Sequence, residues 1–277
     1  MNNYYYLLIG GDKRQEHLYE ILNTKKSKVD KIFFGPKEAL EENFKKISDA
    51  NVIILPIPST TDGKHLYAPN SDKKIHLNLI TEKISNNTVL FTGGENTLFT
   101  ASKAKKVINL LADESLTLKN AMATAEATLS VIINNTEHTV FDSRVLITGY
   151  GRIAKILTKY LLALNAKVSI CARKEAALTE AKLCGAVALG FSQLKESLPK
   201  YEIIINTVPM ELFKKDELEK INNKSLIIDL ASKPGGIDFK TADDLGLKTI
   251  HALSLPGKYS PKSAAEFIEE VISNTLT

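Results

Sequence analysis

A chain of 277 residues, 44% hydrophobic and 25% charged, can fill one large core or two ordinary ones, and two domains is the better expectation. Its net charge of +4 is a small excess on solvated faces such as Lys103, Lys105 and Lys106, expected on a helix, which excludes the dense basic footprint of a nucleic-acid binder. No apolar run approaches a membrane span, the first residues lack a secretory leader, and two cysteines, Cys171 and Cys184, supply neither a metal site nor a disulfide framework, so a cytoplasmic protein with no membrane partner is expected.

β-Rich runs are expected at residues 4–9, 31–34, 51–55, 88–92 and 107–111, separated by amphipathic or Lys/Glu-rich stretches of helical length. That alternation predicts βα units and a parallel sheet. A connecting helix is expected over 118–133, with Leu118, Met122, Ala125, Leu129, Ile132 and Ile133 as its buried stripe, ended by Asn134-Asn135-Thr136. The rhythm resumes with strands at 144–148, 167–171, 186–189, 202–206, 226–229 and 248–251. A helix over 261–272 follows, with Pro261 in its first turn and Ala265, Ile268 and Ile272 on one face. The fold class expected is therefore α/β, with two tandem doubly wound parallel-sheet domains.

The strand Ser143–Thr148 runs directly into Gly149-Tyr150-Gly151-Arg152-Ile153-Ala154, and a helix continues to Leu164. This is a G-x-G-x-x-A dinucleotide fingerprint in its strand-turn-helix context, which predicts a Rossmann domain. Gly149 permits the tight turn, Gly151 lets the backbone approach a pyrophosphate, and Ala154 lets helix and strand pack closely. The next strand, Val168–Cys171, ends without the acidic residue that would bind a ribose 2′-hydroxyl. Arg173 and Lys174 follow instead, where cations pair with a 2′-phosphate, so NADP is expected, with NAD as the alternative. Two later strand ends belong to the same expected site: Asn206-Thr207-Val208-Pro209, along the ribose and nicotinamide, and Asp229-Leu230-Ala231-Ser232.

The first half has polar strand ends of its own, at Gly10-Gly11-Asp12-Lys13-Arg14, Ser59-Thr60-Thr61 and Gly93-Gly94-Glu95-Asn96. Their N–H and hydroxyl donors suit a small anionic molecule, and Arg14 suits a carboxylate. No catalytic triad or metal-ligand pattern stands out. His17, His65, His76, His138 and His251 are scattered, each read as a surface or packing residue. Asp12 and Glu126 are the candidate bases.

At Gly10-Gly11-Asp12-x-Arg14-Gln15, at Asp229-Leu230-Ala231-Ser232-Lys233-Pro234-Gly235-Gly236-x-Asp238-Phe239, and at Leu255-Pro256-Gly257 with Pro261-Lys262, the chain resembles the dipicolinate synthase A-subunit family of spore-forming bacteria. The resemblance covers nearly the whole length. It implies an arrangement like the 2-hydroxyacid dehydrogenases: a substrate-binding domain over 1–118, a Rossmann domain over 119–259 that includes the connecting helix 119–134, and a last helix, 260–277, folding back on the first domain. It implies that Asp12, Arg14, Thr60, Thr61, Gly93, Asn96, Thr124, Glu126, Ser232 and Gly235 line a substrate cleft, with Lys233 where the family has Arg. Ala123 and Ala127 stand where the family has Pro and Gly. The implied activity is NADP-dependent oxidation of a dihydrodipicolinate, formed from 4-hydroxy-tetrahydrodipicolinate of the lysine pathway, to pyridine-2,6-dicarboxylate. The flavoprotein-like B-subunit of dipicolinate synthase is the implied partner, in the mother cell during sporulation, and self-association into a homo-oligomer is left open. Aromatising a dihydropyridine needs hydride removal and loss of a proton, which accounts for the missing triad. The alternatives are another NADP dehydrogenase of shikimate or 2-hydroxyacid type, and a non-catalytic NADP(H)-sensing module.

Overall fold

The computed structural model describes residues 4–26, 28–36, 40–232 and 234–276. It divides into two compact units, Met1–Asn120 with Gly257–Thr277, and Ala121–Pro256. The crossings thus fall at 120/121 and 256/257, where the sequence places them at 118/119 and 259/260.

The first unit contains β1 (Tyr5–Ile9), α1 (Lys13–Lys25), β2 (Lys28–Ile32), α2 (Leu40–Asp49), β3 (Val52–Ile54), α3 (Leu77–Thr81), β4 (Val89–Thr92), α4 (Thr97–Thr100) and β5 (Lys106–Asn109). Its strands pair in parallel in the order β2-β1-β3-β4-β5. The order reverses between β1 and β3, and the loops after those two strands meet, the Gly11 N–H donating to the Tyr67 carbonyl at 2.8 Å. Side-chain alternation sends Tyr6, Leu8, Val52 and Ile54 to one face, where they meet Leu18 and Leu22 of α1, while Leu7, Ile9 and Ile53 face Ile47, Leu77 and Ile80. Both faces being covered, the central strands are apolar throughout, as buried parallel strands require.

The second unit contains most of α5 (Glu114–Asn135), then β6 (Arg144–Thr148), α6 (Arg152–Ala163), β7 (Lys167–Cys171), α7 (Glu175–Leu183), β8 (Val187–Leu189), α8 (Leu194–Ser197), β9 (Ile203–Asn206), α9 (Lys215–Leu218), β10 (Leu226–Asp229), α10 (Phe239–Asp244) and β11 (Lys248–His251). Its all-parallel order is β11-β10-β9-β6-β7-β8. That is the dinucleotide-binding order, with its switch point between β6 and β9. After α11 (Leu255–Tyr259), α12 (Pro261–Leu276) returns to the first unit and buries Ala265, Ile268 and Ile272 with Leu18 and Leu22 of α1, while Lys25 pairs with Glu269 at 3.0 Å.

Three expectations need correction. The second strand spans Lys28–Ile32 instead of 31–34, because Phe33 takes φ 62° and ends the extended run. Lys103 and Lys105 lie in the loop before β5 and Lys106 opens that strand, so these lysines guard a sheet edge and are not on a helix. In α5, Leu118 and Ile133 are exposed, whereas Leu116 packs into the first core and Ala125, Ala127, Val131 and Ile132 into the second. A helix passing from one core to the next is covered on different faces along its length, so one stripe does not describe it. Among the described residues no helix is long and apolar enough to cross a membrane.

Candidate active site

The glycine turn lies at the carboxyl end of β6, beside the switch point. Gly149 has φ 87°, and a Cβ there would lie 2.5 Å from Thr207 Oγ1 and 2.9 Å from Val208 Cγ2, so only glycine fits. Ala154 is fully buried between helix and strand. Gly151 caps α6 without a side-chain hydrogen bond, and a Cβ on it would meet nothing within 4 Å. The space beside Gly151, at the N-terminus of this 12-residue helix, is therefore open, which fits a pyrophosphate. Ile153 is half-buried against the core and Arg152 is exposed. The Tyr150 side chain is buried, and burial, then its hydrogen bond with Cys184, pushes the phenol up. Only the backbone of Tyr150 is therefore available to a cofactor. At the end of β7, Arg173 and Lys174 are both exposed.

Beneath this surface lies a buried network that sequence reading did not assemble. Thr148, Asn206 and Asp229 end three adjacent strands in register, and all three are fully buried. Thr148 Oγ1 donates to Asn206 Oδ1 at 2.7 Å, and Asn206 Nδ2 donates to Asp229 Oδ1 at 2.8 Å and to the Val208 carbonyl at 2.9 Å. Asp229 also accepts the Ala231 N–H at 3.0 Å and the Gly236 N–H at 2.8 Å. The expectation that Asp229 contacts the cofactor is corrected accordingly: its carboxylate is filled by three protein donors, and it positions the loops of β9 and β10. The visible signal was a polar residue closing each of three apolar strands. Thr207 gives both its N–H and its hydroxyl to the Thr148 carbonyl, at 3.0 and 2.8 Å, the Val208 N–H goes to Asn206 Oδ1 at 3.1 Å, and Pro209 is exposed. Ser232 is exposed and its carbonyl accepts the buried Gly235 N–H at 2.9 Å, while Lys233 lies outside the described residues. His251, which closes β11, stacks on Phe239 at 4.9 Å, and its buried Nε2 has no hydrogen-bond partner among the described residues.

In the first unit, Asp12 caps α1 by accepting the Arg14 N–H at 3.1 Å, and its carboxylate also takes Arg14 Nε at 2.9 Å and Nη2 at 2.7 Å. The structure thus joins these two residues as a forked ion pair with side chains 8% (Arg14) and 17% (Asp12) exposed. Gly257 packs against it: a Cβ there would lie 2.7 Å from Asp12 Oδ2, which explains the glycine of Leu255-Pro256-Gly257. The loops after β1, β3 and β4 are stitched together. Ser59 Oγ accepts the Gly93 N–H at 2.7 Å and donates to the Pro56 carbonyl at 3.0 Å, while a Cβ on Gly93 would collide with that same carbonyl oxygen. The Gly11 N–H reaches the Tyr67 carbonyl at 2.8 Å, and Asn96 caps α4 through the Leu98 N–H while its Nδ2 holds the Gly63 carbonyl at 2.9 Å. Thr60 Oγ1 accepts the Gly63 N–H at 3.0 Å and donates to Asp62 Oδ1 at 3.2 Å, leaving the neighbouring Thr61 exposed. Thr124 is half-buried and Glu126 exposed on α5. Among the described residues no three metal-ligating side chains converge.

Residues 6–132 match the family model of the dipicolinate synthase A-subunit N-terminal domain, and residues 130–254 match that of shikimate / quinate 5-dehydrogenase. The chain is 30% identical to the dipicolinate synthase A-subunit of Bacillus subtilis (strain 168), over 97% of this chain and 94% of that protein. The crystal structure of the dipicolinate synthase A-subunit from Bacillus halodurans superposes with a TM-score of 0.87 at 26% identity, covering 99% of this chain and 98% of that one. A glyoxylate reductase from Paecilomyes thermophila, at 14% identity and a TM-score of 0.57 over 100% of this chain and 95% of that one, shares the fold alone. A dehydrogenase fold, a glycine turn shaped for a nicotinamide dinucleotide and full-length similarity agree, and the chain belongs to the dipicolinate synthase A-subunit family of oxidoreductases.

Proposed function

We propose that this protein oxidises a dihydrodipicolinate to pyridine-2,6-dicarboxylate with NADP+. The observation that carries the reading is 30% identity with the B. subtilis protein over nearly the full length. The open space above Gly151 and the exposed Arg173 at the end of β7 support it. Gly149, Gly151, Arg152 and the backbone of Tyr150 and Ile153 hold the pyrophosphate, Arg173 and Lys174 the 2′-phosphate, and Thr207 to Pro209 the nicotinamide side. When bound, the cofactor supplies the hydride acceptor. The protein binds the substrate's carboxylates, orients the ring and removes one proton, so that loss of hydride and proton converts the dihydropyridine to the aromatic ring. Arg14, oriented by Asp12, takes one carboxylate through the N–H groups that Asp12 leaves free, and Thr60, Thr61, Asn96, Thr124, Ser232, Lys233 and Gly235 are the further substrate-binding residues that the family resemblance implies. With both Asp12 oxygens committed to Arg14, the proton goes to Glu126 or to solvent. A flavoprotein-type B-subunit is the proposed partner, with the protein working in the cytoplasm of a sporulating mother cell.

The test is turnover of a 4-hydroxy-tetrahydrodipicolinate mixture with NADP+, followed by the ultraviolet absorbance of the pyridine product, with and without the B-subunit. Arg173→Ala is expected to raise KM for NADP+ about tenfold, the loss of one charge-assisted contact, and to leave that for NAD+ unchanged. Absence of the pyridine product with the B-subunit present refutes the substrate. Equal effects on both cofactors refute the 2′-phosphate role.

A further inference from the structure

Gly257 is the third residue of the short helix α11 (Leu255–Tyr259), and its φ lies outside the left-handed region, so the backbone there does not require glycine. Alanine is the better helix former, and a glycine at an ordinary helical position is kept for the space that its missing side chain leaves. One feature fills that space. A Cβ on Gly257 would lie 2.7 Å from Asp12 Oδ2, 2.9 Å from Arg14 Nε and 3.2 Å from Asp12 Cγ, so the three nearest atoms all belong to the Asp12–Arg14 pair. The glycine is held beside the pair, because α12 follows α11 directly and packs along α1, whose first turn carries Arg14.

The ion pair divides the guanidinium. Asp12 takes its side-on edge, Nε at 2.9 Å and Nη2 at 2.7 Å, and the same carboxylate is fixed as the cap of α1 by the Arg14 N–H at 3.1 Å. A guanidinium has five N–H donors in a rigid fork, so the end-on edge, Nη1 with the second hydrogen of Nη2, is left for another carboxylate. Asp12 sets the direction of that edge, and the bare Cα of Gly257 sets where Asp12 and Nε can lie. We propose that Gly257 is a positioning residue for the substrate: by carrying no side chain it lets the pair settle against α11 with the Nη1–Nη2 edge of Arg14 aimed at a ligand carboxylate. This rests on the reading of Arg14 as a carboxylate-binding residue given above. The atoms that a methyl group would displace are the tips of two side chains, which can swing aside, so Gly257→Ala misdirects Arg14 and leaves the fold standing.

The experiment pairs a local readout with a binding readout. The chain has four arginines, Arg14, Arg144, Arg152 and Arg173, so 15Nε labelling follows each by NMR, with Arg14 assigned by its loss in Arg14→Lys. The Arg14 Nε–H, bonded to Asp12, should exchange slowly with solvent in the wild type, and in Gly257→Ala its resonance should shift and lose that protection. In calorimetric titration of the NADPH-saturated protein, the Kd for pyridine-2,6-dicarboxylate should rise about tenfold, the loss of one charge-assisted contact, with NADPH affinity unchanged. Asp12→Ala should weaken the dicarboxylate similarly, and Asp12→Ala with Gly257→Ala no further, because one pair is disrupted once. That double variant also removes two of the three atoms that the methyl group meets, which supplies a folded comparison if Gly257→Ala alone unfolds. Lys258→Ala, exposed on the same helix, should change neither readout. An Arg14 resonance that stays in place in Gly257→Ala overturns the proposal, and so does unchanged dicarboxylate affinity beside a wild type that binds it. If the wild type binds no pyridine-2,6-dicarboxylate, the substrate proposed above falls, and the Arg14 resonance alone decides the positioning role.

Discussion

The two glycines of the nucleotide turn should fail in different ways when each is replaced by alanine. In Gly149→Ala a side chain enters a backbone of φ 87°, which costs about 1–2 kcal/mol for an L-residue. Its Cβ, 2.5 Å from Thr207 Oγ1, also displaces a hydroxyl bonded to the Thr148 carbonyl at 2.8 Å, a loss of about 1 kcal/mol. Together these give about 2–3 kcal/mol, or a fall in Tm of roughly 5–10 °C. In Gly151→Ala the backbone is ordinary and the Cβ meets nothing within 4 Å, so the penalty is the weaker cap alone, within about 1 kcal/mol. The new methyl group instead occupies the space into which a pyrophosphate would come against the helix N–H groups, and NADPH affinity should fall at least about tenfold, which is about 1.4 kcal/mol. Differential scanning fluorimetry without cofactor measures the first effect, and titration of NADPH fluorescence the second. Wild-type NADPH affinity in Gly151→Ala, or equal melting temperatures for the two variants, would refute this reading of the turn.

Asp229→Ala strips the acceptor from Asn206 Nδ2 and from the N–H groups of Ala231 and Gly236, so urea unfolding should show a loss of about 3 kcal/mol or more, with Asp229→Asn in between. A loss below about 1 kcal/mol would mean that the network does not hold these loops. Ellman's reagent on the folded protein should titrate one fast thiol, the exposed Cys184, because burial pushes the Cys171 thiol up to about 12. A fast thiol that survives in Cys184→Ser contradicts this. The raised Cys171 value also sets a sign for stability: the buried neutral thiol contributes fully below its unfolded value of about 8.5, and that contribution is lost as pH rises from there toward about 12. Unfolding curves across that alkaline window should show Cys171→Ala declining less steeply than the parent.

The parallel strands of both units were legible because each is a short apolar run bounded by turn residues. Those at Arg144–Thr148, Lys167–Cys171, Leu226–Asp229 and Lys248–His251 have the expected bounds. Gly149 was legible for a related reason, since a position with φ 87° that tolerates no side chain must be written in glycine. The faces of α5 were not legible: hydrophobic spacing records that a helix is buried, but which face is covered depends on what packs beside it at each turn. The lysines before β5 were misplaced because charge marks a solvated surface without saying whether it is a helix or a sheet edge.

Local sequence therefore determined most element types and the positions of the glycine turn and of the cations after β7, which follow from patterning and backbone conformation over a few residues. Tertiary structure decided what the polar residues do. Asp229 reads as a ligand contact until Asn206 and Gly236, brought to it by strand pairing and by the return of the chain, occupy its oxygens. Asp12 and Arg14 are two residues apart, yet Gly257, far along the chain, is packed against their ion pair. His65 and His76 become neighbours only through an antiparallel bridge. In each case the deciding partner is distant in sequence, and a hydrogen bond or a close contact is specified only when both ends are in place.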